Sequence, residues 1–132
     1  MHPPVVTAVY AGIAGLMLLV LAGLVVRARW RYGTGLGVGS DPGMERAVRV
    51  HANFTEYVPL ALVLMLLAEL NGLPTVLLHL AGLLLLASRA LHAWGLSRVS
   101  GRSFGRFYGT AGTWLVVLGL SLAVLYAVLD VR

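Results

Sequence analysis

The chain has 132 residues, of which 59% are hydrophobic and 11% charged. Soluble domains carry roughly 25% charged residues, so this composition excludes an ordinary soluble globule, in line with the mean hydropathy of +0.88. Ten arginines against five acidic residues give a formal charge of +5, with no lysine anywhere. A nucleic-acid partner is excluded because a binder of that class is not this apolar; the charge reads as membrane topology. The chain has no cysteine. Disulfides, zinc thiolates and a protein thiol nucleophile are therefore excluded, and any sulfur chemistry must come from a ligand.

Residues 5–26 form an uncharged run, and about 20 residues suffice to cross a bilayer. It does not read as a signal peptide, because no basic segment precedes it and no small-residue cleavage site follows. Arg27, Arg29 and Arg31 end the run, with Trp30 and Tyr32 at interfacial depth. Residues 33–43 are glycine-rich and read as a loop. Asp41-Pro42 then reads as an N-cap followed by proline at the first helical position. A second span over 44–70 is polar in its first half and apolar in its second. Asn71-Gly72-Leu73-Pro74 is a tight turn. A third span covers 74–95, residues 97–106 read as a short basic loop, and a fourth span covers 107–129. The expected fold is all-α: one integral-membrane four-helix bundle over residues 1–132, without repeats or a second domain.

Nine of the ten arginines lie in or beside the connections between spans one and two and between spans three and four; only Arg132 lies at the other side. The positive-inside rule then places both arginine-rich connections in the cytoplasm and both termini outside.

The chemistry concentrates in residues 45–59. With Arg49 at zero and 100° per residue, Glu45 falls near −40°, Arg46 near +60°, Asn53 near +40° and Glu56 near −20°, roughly one stripe, while His51 points the opposite way. Polar residues at membrane depth face a bundle interior or a wet cavity. Glu45 and Arg49 form a favourable i,i+4 pair, and Glu56, the deepest of the set, needs a cation. One reading is a salt-bridge network between helices. The other is a pocket for a small anionic or zwitterionic ligand, with arginines on its carboxylates and Asn53 on its amides. If the network is buried, loss of Glu56 costs about 3–5 kcal/mol.

On the third span Arg89 and His92 share a face. Arg89 either snorkels to the interface or joins the site; His92 is either a packing histidine or a ligand contact. His79, alone at mid-span, reads as an interhelical hydrogen-bonding group. Glu69 lies opposite the stripe and reads as interfacial. Arg106 opens the fourth span ahead of Gly109, Gly112 and Thr113, whose small size permits close helix approach and brings Arg106 toward the stripe. There is no phosphate-binding loop, dinucleotide fingerprint or metal-ligating motif. A Ser-His-Asp triad does not fit, since the aspartates sit in a loop and near the C-terminus.

The segment Glu45-Arg46-Ala47-Val48-Arg49-Val50-His51-Ala52-Asn53-Phe54-Thr55-Glu56-Tyr57-Val58-Pro59 resembles the second-helix signature E-R-x-x-R-x-x-x-N-x-x-E-x-x-P of the MAPEG family, the membrane-associated proteins of eicosanoid and glutathione metabolism. Arg89 with His92-Ala93-x-Gly95, and Arg106 with Gly109 and Thr113, are similar to its bacterial members. The resemblance spans nearly the whole chain. It implies a homotrimer holding glutathione as co-substrate at subunit interfaces on the cytoplasmic side. Arg49, Asn53, Glu56 and Tyr57 match glutathione-contacting positions, and Arg89 and His92 join them as ligand-binding candidates. Arg106 best matches the arginine that stabilises the glutathione thiolate, with Arg102 as a rival. The eukaryotic synthases carry tyrosines where this chain has His92 and Leu96. The function implied is a glutathione-dependent transferase or peroxidase acting on lipophilic electrophiles in a bacterial inner membrane. The alternative is a non-catalytic scaffold of the same family. A small multidrug transporter ranks third, because the first span lacks the carboxylate that class requires.

Overall fold

The structure, a computed structural model, describes residues 3–98, 101 and 103–130; Arg102 and Arg132 lie outside them. Four helices follow in order: α1 (Val5–Tyr32), α2 (Pro42–Leu70), α3 (Thr75–Arg98) and α4 (Phe104–Asp130). Each is long and apolar enough to cross a membrane, and the chain is an integral membrane protein. Short connections make successive helices antiparallel, so the α1–α2 and α3–α4 connections share one end of the bundle. Helix α2 packs on all three other helices, while α1 and α4 do not touch within the described residues.

The helices run further than the apolar stretches. A 28-residue helix is about 42 Å long, against roughly 30 Å of hydrocarbon, so α1 carries its arginines beyond the apolar layer without unwinding. Arginine and leucine favour helix; α1 stops only at Gly33, whose left-handed φ of 61° closes the end. Arg29 then donates to the carbonyls of Thr34, Gly35 and Gly37 at 3.2–3.3 Å, tying the loop back onto the helix. By the same logic α3 continues to Arg98 and α4 begins at Phe104. Arg106 is therefore a first-turn helical residue rather than the end of a loop.

Asp41 caps α2 by accepting from the Gly43 N–H at 2.7 Å, with Pro42 behind it at the first helical position, as the sequence predicts. The start of α1 has no such device of its own, since Pro4 offers no capping side chain. Glu69, from the far end of α2, supplies it. Its two carboxylate oxygens accept from the N–H groups of Val6 and Thr7 at 2.9 and 2.7 Å. These are donors that a helix start leaves unsatisfied. Glu69, read from the sequence only as interfacial, is thus a helix cap supplied by another helix. Glu69→Ala is expected to cost about 1–2 kcal/mol, read as a lower unfolding temperature in detergent. A change below about 0.3 kcal/mol would show that solvent caps α1 equally well.

The core lies in two layers. Near the Asn71 turn, Tyr10, Met65, Leu78, Leu85, Val116 and Leu120 pack together. Near the arginine-rich end, Ala14, Leu21, Val50, Phe54, Val58 and Leu96 do so. His79 accepts its interhelical bond as the sequence implies: the Tyr10 hydroxyl lies 3.0 Å from Nδ1 and donates at 3.2 Å to the His79 carbonyl. Helices α3 and α4 approach closely enough that side chains are excluded. A Cβ at Gly109 would sit 2.6 Å from the Ser88 carbonyl oxygen, and one at Gly95 would sit 2.9 Å from the Gly105 Cα and the Arg106 nitrogen.

Candidate functional site

The close approach of α3 and α4 decides where Arg106 goes. Gly95 and Gly105 lie against each other, so the next residue of α4 is drawn in beside α3 and α2. The result is a cavity of about 320 Å³ at the arginine-rich end of the bundle. Arg46, Arg49 and Asn53 line it from α2, His92 and Leu96 from α3, and Arg106 from α4. Glu45 stands at the same wall. Three guanidiniums against one carboxylate make this a concave site for an anion. Arg106 is half-buried and donates from Nη1 to the Gly101 carbonyl at 2.6 Å, which steadies its side chain at the rim.

Of the residues singled out from the sequence, Arg49, Asn53, His92 and Arg106 line this cavity. Glu56 does not; it stands 3.6 Å from Arg49 and holds that guanidinium from one side. The ion pair therefore links Arg49 to Glu56, seven residues on, rather than to Glu45. The Arg49 and Glu56 side chains are 53% and 48% exposed. In a single chain the stripe is thus not a buried network, and the 3–5 kcal/mol expectation for its disruption does not apply to one chain alone. Exposed pairs contribute about 0–1 kcal/mol.

Arg89 lies behind the cavity wall. It is 2% exposed, which overturns the snorkelling alternative. It donates to the Asn53 side-chain oxygen at 2.5 Å and to the Gly109 carbonyl at 2.8 Å. The Tyr57 ring stands 5.6 Å from its guanidinium, and its Nε has no partner among the described residues. This arrangement sets the polarity of the site. Arginine has only donors, so the Asn53 atom facing it must be the amide oxygen. The Asn53 NH₂ is left for the cavity, where it can donate to a carboxylate or a carbonyl.

Three lining residues, Glu45, Arg46 and Leu96, were not among the ligand-binding candidates. Glu45 and Arg46 were legible on the stripe, near −40° and +60° from Arg49. Leu96 was marked only by the family resemblance, as a position where the eukaryotic synthases carry tyrosine; the packing of α3 against α4 turns this apolar residue into a site wall. Arg102, the rival to Arg106, lies outside the described residues.

The MAPEG family model matches residues 7–126 of the chain. The chain is also 38% identical over 122 residues to "Inner membrane protein YecN" of Escherichia coli strain K12 and of Escherichia coli O6:H1, covering 92% of this chain and 91% of each relative.

Proposed function

The chain belongs to the MAPEG family, and from that premise we propose that it binds glutathione in the α2–α3–α4 cavity and activates the thiol for attack on lipophilic electrophiles. The observation that carries this reading is the convergence of Arg106 with Arg46, Arg49 and the Asn53 amide on one cavity. Glutathione offers two carboxylates, amide carbonyls and a thiol, and this wall offers donors for the first two and a cation for the third. The chain itself has no thiol, so the nucleophile is the ligand's. Arg106 stays protonated and cannot act as a base; its role is to stabilise the thiolate electrostatically. The electrophile enters from the bilayer and glutathione from the cytoplasm, in an inner-membrane protein with both termini outside. Purified protein titrated with glutathione tests this reading through thiolate absorbance at neutral pH; absence of a saturable signal would overturn it.

The half-exposed Arg49–Glu56 pair also supports a homotrimer. Charges left bare at membrane depth are costly, and further copies of the chain would cover them at the subunit interfaces the family resemblance implies. Native mass spectrometry from detergent is expected to give three chains; a stable monomer or dimer would sink this assembly. Glu56→Gln separates ligand binding from the folding of one chain. It is expected to change the stability of the single chain by less than about 1 kcal/mol and to weaken glutathione binding by about tenfold, since Arg49 loses the carboxylate that orients it. Equal glutathione affinity in the variant would remove Glu56 from the site.

A further inference from the structure

A second cavity of about 320 Å³ opens on the other side of α2, between α1, α2 and the end of α3. It shares Arg46 with the first and is otherwise separate. Its cationic wall is Arg27 and Arg31 of α1 with Arg46 of α2, and its apolar wall includes Leu21, Leu24 and Val50. No carboxylate lines it among the described residues. Arg27 and Arg31 are four residues apart on one helix and so share a face, where like charges repel. Arg27 makes no hydrogen bond or ion pair with any described residue, and Arg31 has only the Tyr32 ring, 5.7 Å away. Arg29, between them, is by contrast spent on loop carbonyls. The cavity also touches the first turn of α2 at Gly43, the electropositive end of that helix. Tyr32 packs against Gly43 there, its hydroxyl filling the space that a Cβ on residue 43 would need.

We propose that this cavity binds the phosphate head group of an anionic membrane lipid. The volume is at the lower end of ordinary ligand sites, and clustered guanidiniums suit phosphate oxygens. The leucines distinguish a lipid from a soluble anion. Leu24 is about 4.5 Å along the helix from Arg27, so an anion held by the arginines has its tail beside Leu24 and Leu21. The cavity also lies where α1 leaves the apolar layer, the depth at which head groups sit. This inference does not depend on the thiol chemistry of the first cavity.

The test uses the full chain in neutral detergent, titrated with phosphatidylglycerol, phosphatidylcholine or soluble glycerol phosphate and followed by native mass spectrometry. Phosphatidylglycerol is expected to be retained in preference to phosphatidylcholine. Arg27→Gln and Arg31→Gln should each weaken its retention about tenfold, the effect of losing a charge-assisted hydrogen bond. Arg98→Gln is the matched control: it removes the same charge from the same end of the bundle, but Arg98 stacks 4.9 Å from the Trp94 ring, outside the cavity. An equal loss in Arg98→Gln would assign the effect to general surface charge and overturn the site. Competition by glycerol phosphate at the same concentrations as the lipid would overturn the lipid assignment. A measurement that needs no variant is thermal unfolding of the native protein. Phosphatidylglycerol should raise the unfolding temperature more than phosphatidylcholine does, and equal shifts would count against the proposal.

Discussion

Arg106→Leu is expected to lower the rate of glutathione conjugation at pH 7 about 25-fold, with a loss that shrinks as pH rises. A thiol with a pKa near 8.5 is only about 3% ionised at pH 7. A guanidinium within reach lowers such a pKa by about two units, which raises the ionised share to roughly 75%. Removing the cation returns the thiol to its solution behaviour. Stabilisation of the charged form matters below the unperturbed pKa and becomes redundant above it. At pH 9 about three-quarters of the thiol is ionised without help, so the variant should come within about twofold of the native rate. The assay is the pH profile of conjugation to a lipophilic electrophile, alongside the thiolate signal of bound glutathione. The remaining donors, Arg46, Arg49 and Asn53, still line the cavity, so glutathione affinity should fall far less than the rate. An unchanged pH profile in Arg106→Leu, with loss in Arg102→Leu, would transfer the role to Arg102. Unchanged turnover in both variants would remove the transferase reading.

Gly109→Ala is expected to destabilise the protein by about 2–3 kcal/mol, although it adds one methyl group to a helix that prefers alanine. The added Cβ would lie 2.6 Å from the Ser88 carbonyl oxygen and 2.7 Å from the His92 nitrogen and Cβ. These neighbours are mostly backbone, so relief requires α4 to move away from α3. The movement has a functional consequence, because the Gly109 carbonyl accepts from Arg89, and Arg89 also holds the Asn53 oxygen. Glutathione affinity should therefore fall together with stability. Gly119→Ala, on the same helix, is the contrast: no atom lies within 4 Å of its added Cβ. Its stability should be unchanged or raised by up to about 1 kcal/mol. Thermal unfolding of the two variants in one detergent decides the matter. Equal behaviour would mean that α3 and α4 are not in close backbone contact at Gly109.

The membrane class, the four spans and the shared end of both arginine-rich connections were legible in the sequence because they depend on local quantities. Runs of apolar residues must sit in hydrocarbon wherever they fold, and Asp41-Pro42 caps a helix with its own atoms. The polar stripe on α2 was legible for the same reason: helical periodicity alone puts Arg46, Arg49 and Asn53 on one side. Helix ends were less so, because arginine is soluble in the interface yet favours helix, and the apolar run therefore ends before the helix does.

What local pattern could not supply was the partner of each polar group. Glu69 caps the start of α1 across more than 60 residues of chain, and Arg89 is buried against Asn53 and Gly109 rather than extended to the interface. A charged side chain's position is decided by which acceptors the other helices bring within reach, and that depends on how the helices pack. The same holds for the two cavities. Glycines at 95, 105 and 109 permit the α3–α4 approach that draws Arg106 to the stripe, while α1 leans on the other face of α2 and sets Arg27 and Arg31 around a separate cavity. Periodicity assigned residues to faces of helices; only tertiary packing decided which faces meet, because contact between distant segments is a property of the whole bundle and of no single helix.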